Sequence, residues 1–198
     1  AGLIGICTSN GPLILAPTGG IEPCLGNNPL AVGIPAGRQR SILLDVAMSV
    51  APRGKIGLQL AQGQALPPGW ILDAQGRASV DPADLVAGLG VPIGGHKGYG
   101  LALVFEVLSA LLAGAGFGSS HLRSQLRSAT SADIGHFFLA FDPGLFGSAL
   151  AFRERVDQLI EHVKGCRRAA TVAEILLPGE SELRERERSF REIGRAHV

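Results

Sequence analysis

The sequence predicts an α/β fold of the α+β kind, with a mixed, largely antiparallel sheet flanked by helices. Three observations predict it. Short apolar runs rich in β-branched or aromatic residues (Leu3–Thr8, Leu30–Ile34, Ser41–Val46, His136–Asp142) are bounded by turn residues, as strands are. Two of them flank the turn Pro35-Ala-Gly-Arg38, so a hairpin joins them and they run antiparallel. Two longer stretches, Leu101–Ala113 and the segment around Phe152–Val163, have helical length and spacing.

In chain order, Leu3–Thr8 ends at the turn signal Ser9-Asn-Gly-Pro12, and Leu13–Leu15 forms a short strand. Gly26, Asn27 and Pro29 favour turn geometry before the hairpin. Ala51–Gln64 reads as a helix that Pro67-Pro-Gly-Trp70 breaks, and Ile71–Gly76 as a strand end plus turn. Asp81-Pro82 resembles an N-cap with Pro at N1, opening a short helix to Ala87. Leu101–Ala113 reads as a buried core helix, and Gly114–Ala132 as a long surface loop in which His121 is solvated. His136–Asp142 is a strand closed by Pro143-Gly144. The helix after it sets Phe152, Val156, Leu159, Ile160 and Val163 on a packed face, with Arg153, Glu154, Asp157 and Glu161 on the wet one and His162 exposed. Val172–Leu177 is expected as a last strand.

The chain is organised around Gly94-Gly-His-Lys-Gly-Tyr-Gly100, which runs into the Leu101–Ala113 helix. Glycines let backbone approach a ligand closely, and a helix start offers unpaired N–H groups and a positive dipole end to an anion. Lys97 adds a cation, and His96 a group that can donate, accept or titrate. The phosphates of a nucleotide cofactor fit there; a glycine-rich connection carrying a solvated Lys fits equally well. A Walker A loop is excluded because Gly98, not Ser or Thr, follows Lys97. A Rossmann fingerprint is excluded by the glycine spacing and by the lack of a strand leading in.

Composition narrows the partners. The chain is 46% hydrophobic and 18% charged, as a folded globular protein is, and its formal net charge of +1 argues against nucleic acid. No apolar run reaches the ~20 residues that span a bilayer. Cys7, Cys24 and Cys166 are scattered, with no metal-binding spacing, and fit reduced thiols in the cytoplasm. Asp45 ends an apolar strand, where a carboxylate is costly to bury unless paired. It reads as the N-cap of the following helix or as an orienting or proton-handling carboxylate, with the cap favoured from sequence. The chain opens without Met inside a strand, and after Glu182 it turns to dense alternating charge. The final Ile193–Val198 reads like a translated sequencing adapter. The expectation is a fragment, with a domain over residues 1–180 and an atypical, partly artefactual tail over 181–198.

Seven stretches together resemble the malate/L-lactate dehydrogenase-like (type 2) NAD(P)-dependent oxidoreductases: Ala16–Gly20, Gly26–Pro29, Asp45–Ser49 with Arg53-Gly-Lys55, Pro68-Gly-Trp70, Gly94–Gly100, Ile134–Phe138 and Leu177–Glu180. The resemblance implies a non-Rossmann dinucleotide-binding fold, NAD or NADP as cofactor, a homodimer, and a small 2-hydroxy, 2-keto or cyclic 2-imino acid as substrate; the cysteines set the expectation of no metal and a cytoplasmic protein. It places Leu44, Asp45, Val46, Ala47, His96, Lys97, Gly179 and Glu180 at the cofactor and turns His96 towards the substrate as well. Asp45 takes the part of the carboxylate that supports the family's acid/base His. That His, with a neighbouring Ser and a substrate-binding Arg, belongs to an N-terminal helical region for which this chain has no match. The chain is therefore expected as the cofactor-binding part of an oxidoreductase, or as a fragment that binds dinucleotide without turnover. Ile21 and Cys24 stand where members often carry basic residues, and the tail after Glu180 departs from the family's pattern.

Overall fold

The structure is a computed structural model and describes residues 2–86, 88–118 and 133–192. A four-stranded sheet has the order β5-β4-β1-β9, with β1 at Ile4–Ser9, β4 at Leu30–Ile34, β5 at Ile42–Val46 and β9 at His136–Phe141. Two small antiparallel sheets accompany it. One pairs β2 (Leu13–Leu15) with β3 (Leu25–Gly26), and the other sets β6 (Ile71–Leu72) between β7 (Ala78–Ser79) and β8 (Leu89–Gly90). The chain forms two compact units: Ala1–Ile6, Ala31–Asp45 and Leu139–Val198 make one, and Cys7–Leu30 with Val46–Phe138 the other. It passes between them within each of the four long strands.

The second unit holds two apolar clusters. The first gathers Ile14, Leu15, Leu25, Met48, Ala102 and Phe105, with Val46, Ile93 and Tyr99 packed against it. The second gathers Ala51, Ile56, Leu66 and Ile71 under Trp70. Helix α1 (Arg53–Ala61) contributes Ile56, and Lys55 Nζ lies 5.3 Å from the centre of the Trp70 ring, a cation–π contact. The Arg53-Gly-Lys55 and Pro68-Gly-Trp70 stretches thus meet in this layer.

Helix α2 runs from His96 to Glu106 and continues as a π-turn over Val107–Leu111, where the Leu112 and Ala115 N–H groups reach back five residues to the Val107 and Ala110 carbonyls. The long helix is not buried all round as expected. Gly98, Ala102, Phe105, Glu106, Ser109 and Ala110 face inward, while Leu101, Val104, Leu111 and, at 70% exposure, Leu112 face out. The one charged residue of the Leu101–Leu112 stretch, Glu106, lies on the inner face. Gly135 presses on the π-turn, where an added Cβ would stand 1.9 Å from the Ser109 carbonyl oxygen. Asn10 ties the same place down, accepting from the Gly135 N–H and donating to the Gly116 carbonyl.

In the first unit, helix α3 (Ala149–Lys164) opens at the Ser148 cap and buries Val156 and Ile160 as its spacing predicts. Two positions on it depart from expectation. Leu159 is 54% exposed, and Asp157, expected on the wet face, is 3% exposed. Its carboxylate accepts three successive backbone N–H groups, from Gly37 (3.0 Å), Arg38 (2.7 Å) and Gln39 (3.1 Å), which outweighs the cost of burial. A Cβ on Gly37 would come within 2.5 Å of that carboxylate. Val172–Leu177 is not a strand. The charged tail forms helix α4 (Glu180–Glu192) with no buried residue, and Arg40 pairs with Glu187 along it. His121 and the rest of the 119–132 stretch lie outside the described residues, as do 193–198.

Two outcomes follow. The Arg38 N–H, with those of Gln39 and Gly37, holds the Asp157 carboxyl below the usual carboxylate range against the opposing effect of desolvation. A depressed folded-state pKa gives stability that is complete above the unfolded value of about 3.9 and is lost as pH falls through the folded one. In urea unfolding, Asp157→Asn should therefore be less stable than wild type at neutral pH, with the gap closing below about pH 4. Glycines in α2 should also split. A Cβ at Gly98 would stand 2.2 Å from the Ile93 carbonyl oxygen, whereas one at Gly100 meets nothing within 4 Å. Gly98→Ala should cost roughly 1–3 kcal/mol by overpacking, and Gly100→Ala should gain roughly 0.5–1 kcal/mol, both read by denaturant unfolding.

Candidate functional site

The eight predicted residues fall into two groups, one in each unit, and the chain links them through the Asp45–Val46 peptide bond. In the second unit, Val46 and Ala47 lead into Met48, and His96 and Lys97 follow Ile93. Three backbone hydrogen bonds knit these stretches together. Met48 donates to the Asn27 carbonyl (2.7 Å), Ile93 to the Met48 carbonyl (3.0 Å) and Gly98 to the Ile93 carbonyl (2.9 Å). Val50 adds a bond to Val91, and Ser49 bridges Pro92 in antiparallel sense. One hydrogen-bonded frame thus holds Val46-Ala47 alongside the entrance of α2.

At that entrance Gly94 and Gly95 have φ of 59° and 63°, a conformation that glycine adopts without strain. Neither would bring a Cβ nearer than 3.9 Å to any neighbour, so the surface above them is open, and His96 and Lys97 are exposed. The loop is less of an amide cradle than its sequence suggests. The N–H groups of Gly95, Lys97, Gly98 and Tyr99 go to the carbonyls of Pro92, Gly94, Ile93 and Gly95. What remains for an anion is the Lys97 ammonium, the His96 ring and the dipole of a helix start. These groups and the open glycine surface fit a dinucleotide phosphate.

In the first unit, β5 carries Leu44 and an exposed Asp45. Asp45 does not cap a helix, because α1 starts eight residues later with Pro52 at its cap. Gly179, with φ of 86°, passes so close to β5 that a Cβ would stand 2.6 Å from the Leu43 carbonyl oxygen. Leu43 in turn donates to the Pro178 carbonyl at 3.2 Å. Glycine is therefore required at 179, which lies against Leu43, the residue before Leu44 on β5. Glu180 is already engaged. It pairs with Lys164 at 2.7 Å and accepts the Leu177 N–H at 3.0 Å, and the Lys164 contact leads in holding its carboxyl below the ordinary range. A cavity of about 270 Å³ opens beside it, lined also by Arg40, Ser41 and Lys164. Two larger hollows along α3, of about 640 and 700 Å³, touch none of the eight residues.

Sequence reasoning missed Asn28 and Glu106. Asn28 is fully buried, has φ of 26°, and donates from Nδ2 to Glu106 Oε2 (2.7 Å) and to the Ala102 carbonyl (2.9 Å). Glu106, with burial leading, also keeps the Cys24 thiol above its usual range. A lone Glu in a greasy helix was the available signal. Among the described residues, no three His, Cys, Asp or Glu side chains converge as a metal site.

Known proteins resemble the chain in sequence and in fold. The chain is 35% identical over 187 residues to a malate dehydrogenase of Pyrococcus horikoshii, covering 90% of this chain and 51% of that one. It is 36% identical over 179 residues to a (2R)-3-sulfolactate dehydrogenase (NADP+) of Chromohalobacter salexigens, covering 90% and 51%. Its fold matches the crystal structure of a Δ1-piperideine-2-carboxylate reductase from Pseudomonas syringae with a TM-score of 0.83 at 29% identity, covering 96% of this chain and 55% of that one. The chain spans about half the length of the relatives it matches. The malate/L-lactate dehydrogenase family matches over residues 1–193, and the chain belongs to that family.

Proposed function

We propose that this chain is the dinucleotide-holding portion of an NAD(P)-dependent oxidoreductase acting on a small 2-hydroxy or 2-keto acid, malate, lactate and sulfolactate being of that kind, or on a cyclic 2-imino acid. The observation that carries the reading is the hydrogen-bonded frame that fixes Val46-Ala47 beside the His96-Lys97 entrance of α2. In its support stand the names of the relatives, which include malate and sulfolactate dehydrogenases and a cyclic imino acid reductase. The cofactor's nicotinamide supplies the hydride chemistry when bound. Lys97 grips phosphate with a mobile cation, and His96 reaches over the same open glycine surface. Backbone at Val46 and Ala47 presents close-approach surface to the rest of the dinucleotide, and Leu44 and Gly179 are assigned to the cofactor by the resemblance alone. Asp45 orients a His outside this chain, and Glu180, tethered by Lys164, fixes the turn that carries Gly179. The proton that accompanies the hydride needs a group near neutral pKa, and that group is the partner of Asp45. Residues 1–180 act as the binding domain, with the 181–198 stretch outside it. The reading extends to a homodimer, as the resemblance implies, working in the cytoplasm, as three scattered cysteines suggest.

A second reading is dinucleotide binding without turnover, favoured by the lack of a family match in this chain for the acid/base His. Titration with NADH and NADPH, followed by nucleotide fluorescence, tests the shared part. Saturable binding is expected with one of the two. A charge-assisted contact contributes about 1.5–3 kcal/mol, so Lys97→Ala should weaken it at least tenfold. Absence of binding with both nucleotides, or an unchanged affinity in Lys97→Ala, would count against the site. Nucleotide oxidation with 2-keto acids then separates the enzyme from the binder.

A further inference from the structure

We propose that Asn28 and Glu106 are a positioning pair that sets where the entrance of α2 stands against Val46-Ala47, an inference that rests on the cofactor site described above. Both amide hydrogens of Asn28 go to α2, to the Ala102 carbonyl and to Glu106 Oε2, one turn apart. The neighbouring Asn27 carbonyl takes the Met48 N–H. A two-residue turn therefore grips both halves of the group, the helix through a side chain and the 46–48 segment through the backbone. The turn itself has little freedom. Asn28 sits at positive φ, and a Cβ on Gly26 would come within 2.5 Å of Asn28 Oδ1 and of the Gly11 carbonyl oxygen. Lys97 lies nine residues before Glu106, about 14 Å along the helix, so a shift in the height or rotation of α2 at Glu106 is carried to the phosphate end.

The chemistry of the pair favours positioning over stabilisation. Asn28 is fully buried and Glu106 is 4% exposed. Burying a carboxylate is costly, and apolar residues of similar volume commonly hold a helix as well or better. What an amide–carboxylate contact adds is direction. Apolar packing tolerates small slides and rotations of a helix, whereas a 2.7 Å hydrogen bond to one oxygen does not. The inner face of α2 around it is built from small or apolar residues, Gly98, Ala102 and Phe105, which define contact but not register.

The test compares Glu106→Gln, which keeps an acceptor for the Asn28 amide, with Glu106→Leu, which fills the space without one. Asn28→Gly, which accepts the positive φ and removes the donors, serves as a second disruptive variant. NADH and NADPH affinities are measured where far-UV circular dichroism shows each variant folded, with Ile71→Val in the other apolar cluster as a packing control. Backbone amide shifts of His96 and Lys97 are recorded without nucleotide. The expected result is affinity within twofold of wild type for Glu106→Gln, and at least fivefold weaker binding for Glu106→Leu and Asn28→Gly. The two amides should move in the disruptive variants and return in Glu106→Gln. Melting temperature need not follow affinity, and Ile71→Val should lower the first without the second. If the disruptive variants bind as wild type does and the amides stay put, the pair serves only the fold and the proposal fails. If wild type binds no nucleotide, the cofactor reading fails, and the amide shifts alone decide the positioning claim.

Discussion

The backbone relay from Asn27 through Met48 and Ile93 to Gly98 is the constraint on which the larger unit depends. Each of its hydrogen bonds satisfies a donor that packing would otherwise leave unpaired, and the two at Met48 join segments far apart in sequence. Met48 carries two of them while its side chain lies fully inside the first apolar cluster, so backbone pairing and core packing fix the same point. Breaking the relay would free the start of α2 from the strand end that carries Val46. The glycines at its far end answer to this geometry in different ways. Gly98 is needed because the Ile93 carbonyl occupies its Cβ position, and Gly94 and Gly95 because the chain turns there at positive φ.

The smaller unit is held by a different kind of bond. Asp157 closes three consecutive amides of the β4–β5 turn, and Glu180 closes the turn before α4 while pairing with Lys164. In both places a carboxylate replaces the free anion that such a set of donors could attract. These donors are spent on structure, whereas Lys97, the cation of the predicted set, stands exposed beside the open surface of Gly94 and Gly95.

Much of this was legible in the sequence, and the failures share a cause. Strand and helix positions followed from local apolar spacing, and the family from the order of seven short stretches. The helix start at His96 was readable because an apolar run followed a glycine loop. Asp157 was misread because helical periodicity cannot register three backbone donors supplied 118–120 residues away. Glu106 was passed over because its partner Asn28 lies 78 residues off. Val172–Leu177 has the composition of a strand, but among the described residues its backbone turns to local partners, the Val172 N–H to the Ala169 carbonyl, the Ala173 carbonyl to Arg168 and the Leu177 N–H to Glu180. Local pattern reports what a segment can form, and long-range donors and acceptors decide what it does form.

The central claim is that a pyridine dinucleotide lies with its phosphates at the entrance of α2, beside Val46 and Ala47. A crystal structure of this chain with NADH or NADPH bound tests it most directly. The account requires the pyrophosphate within hydrogen-bonding reach of Lys97 or His96, over the open surface of Gly94 and Gly95. Nucleotide bound in the hollows along α3, with the α2 entrance empty, would contradict it.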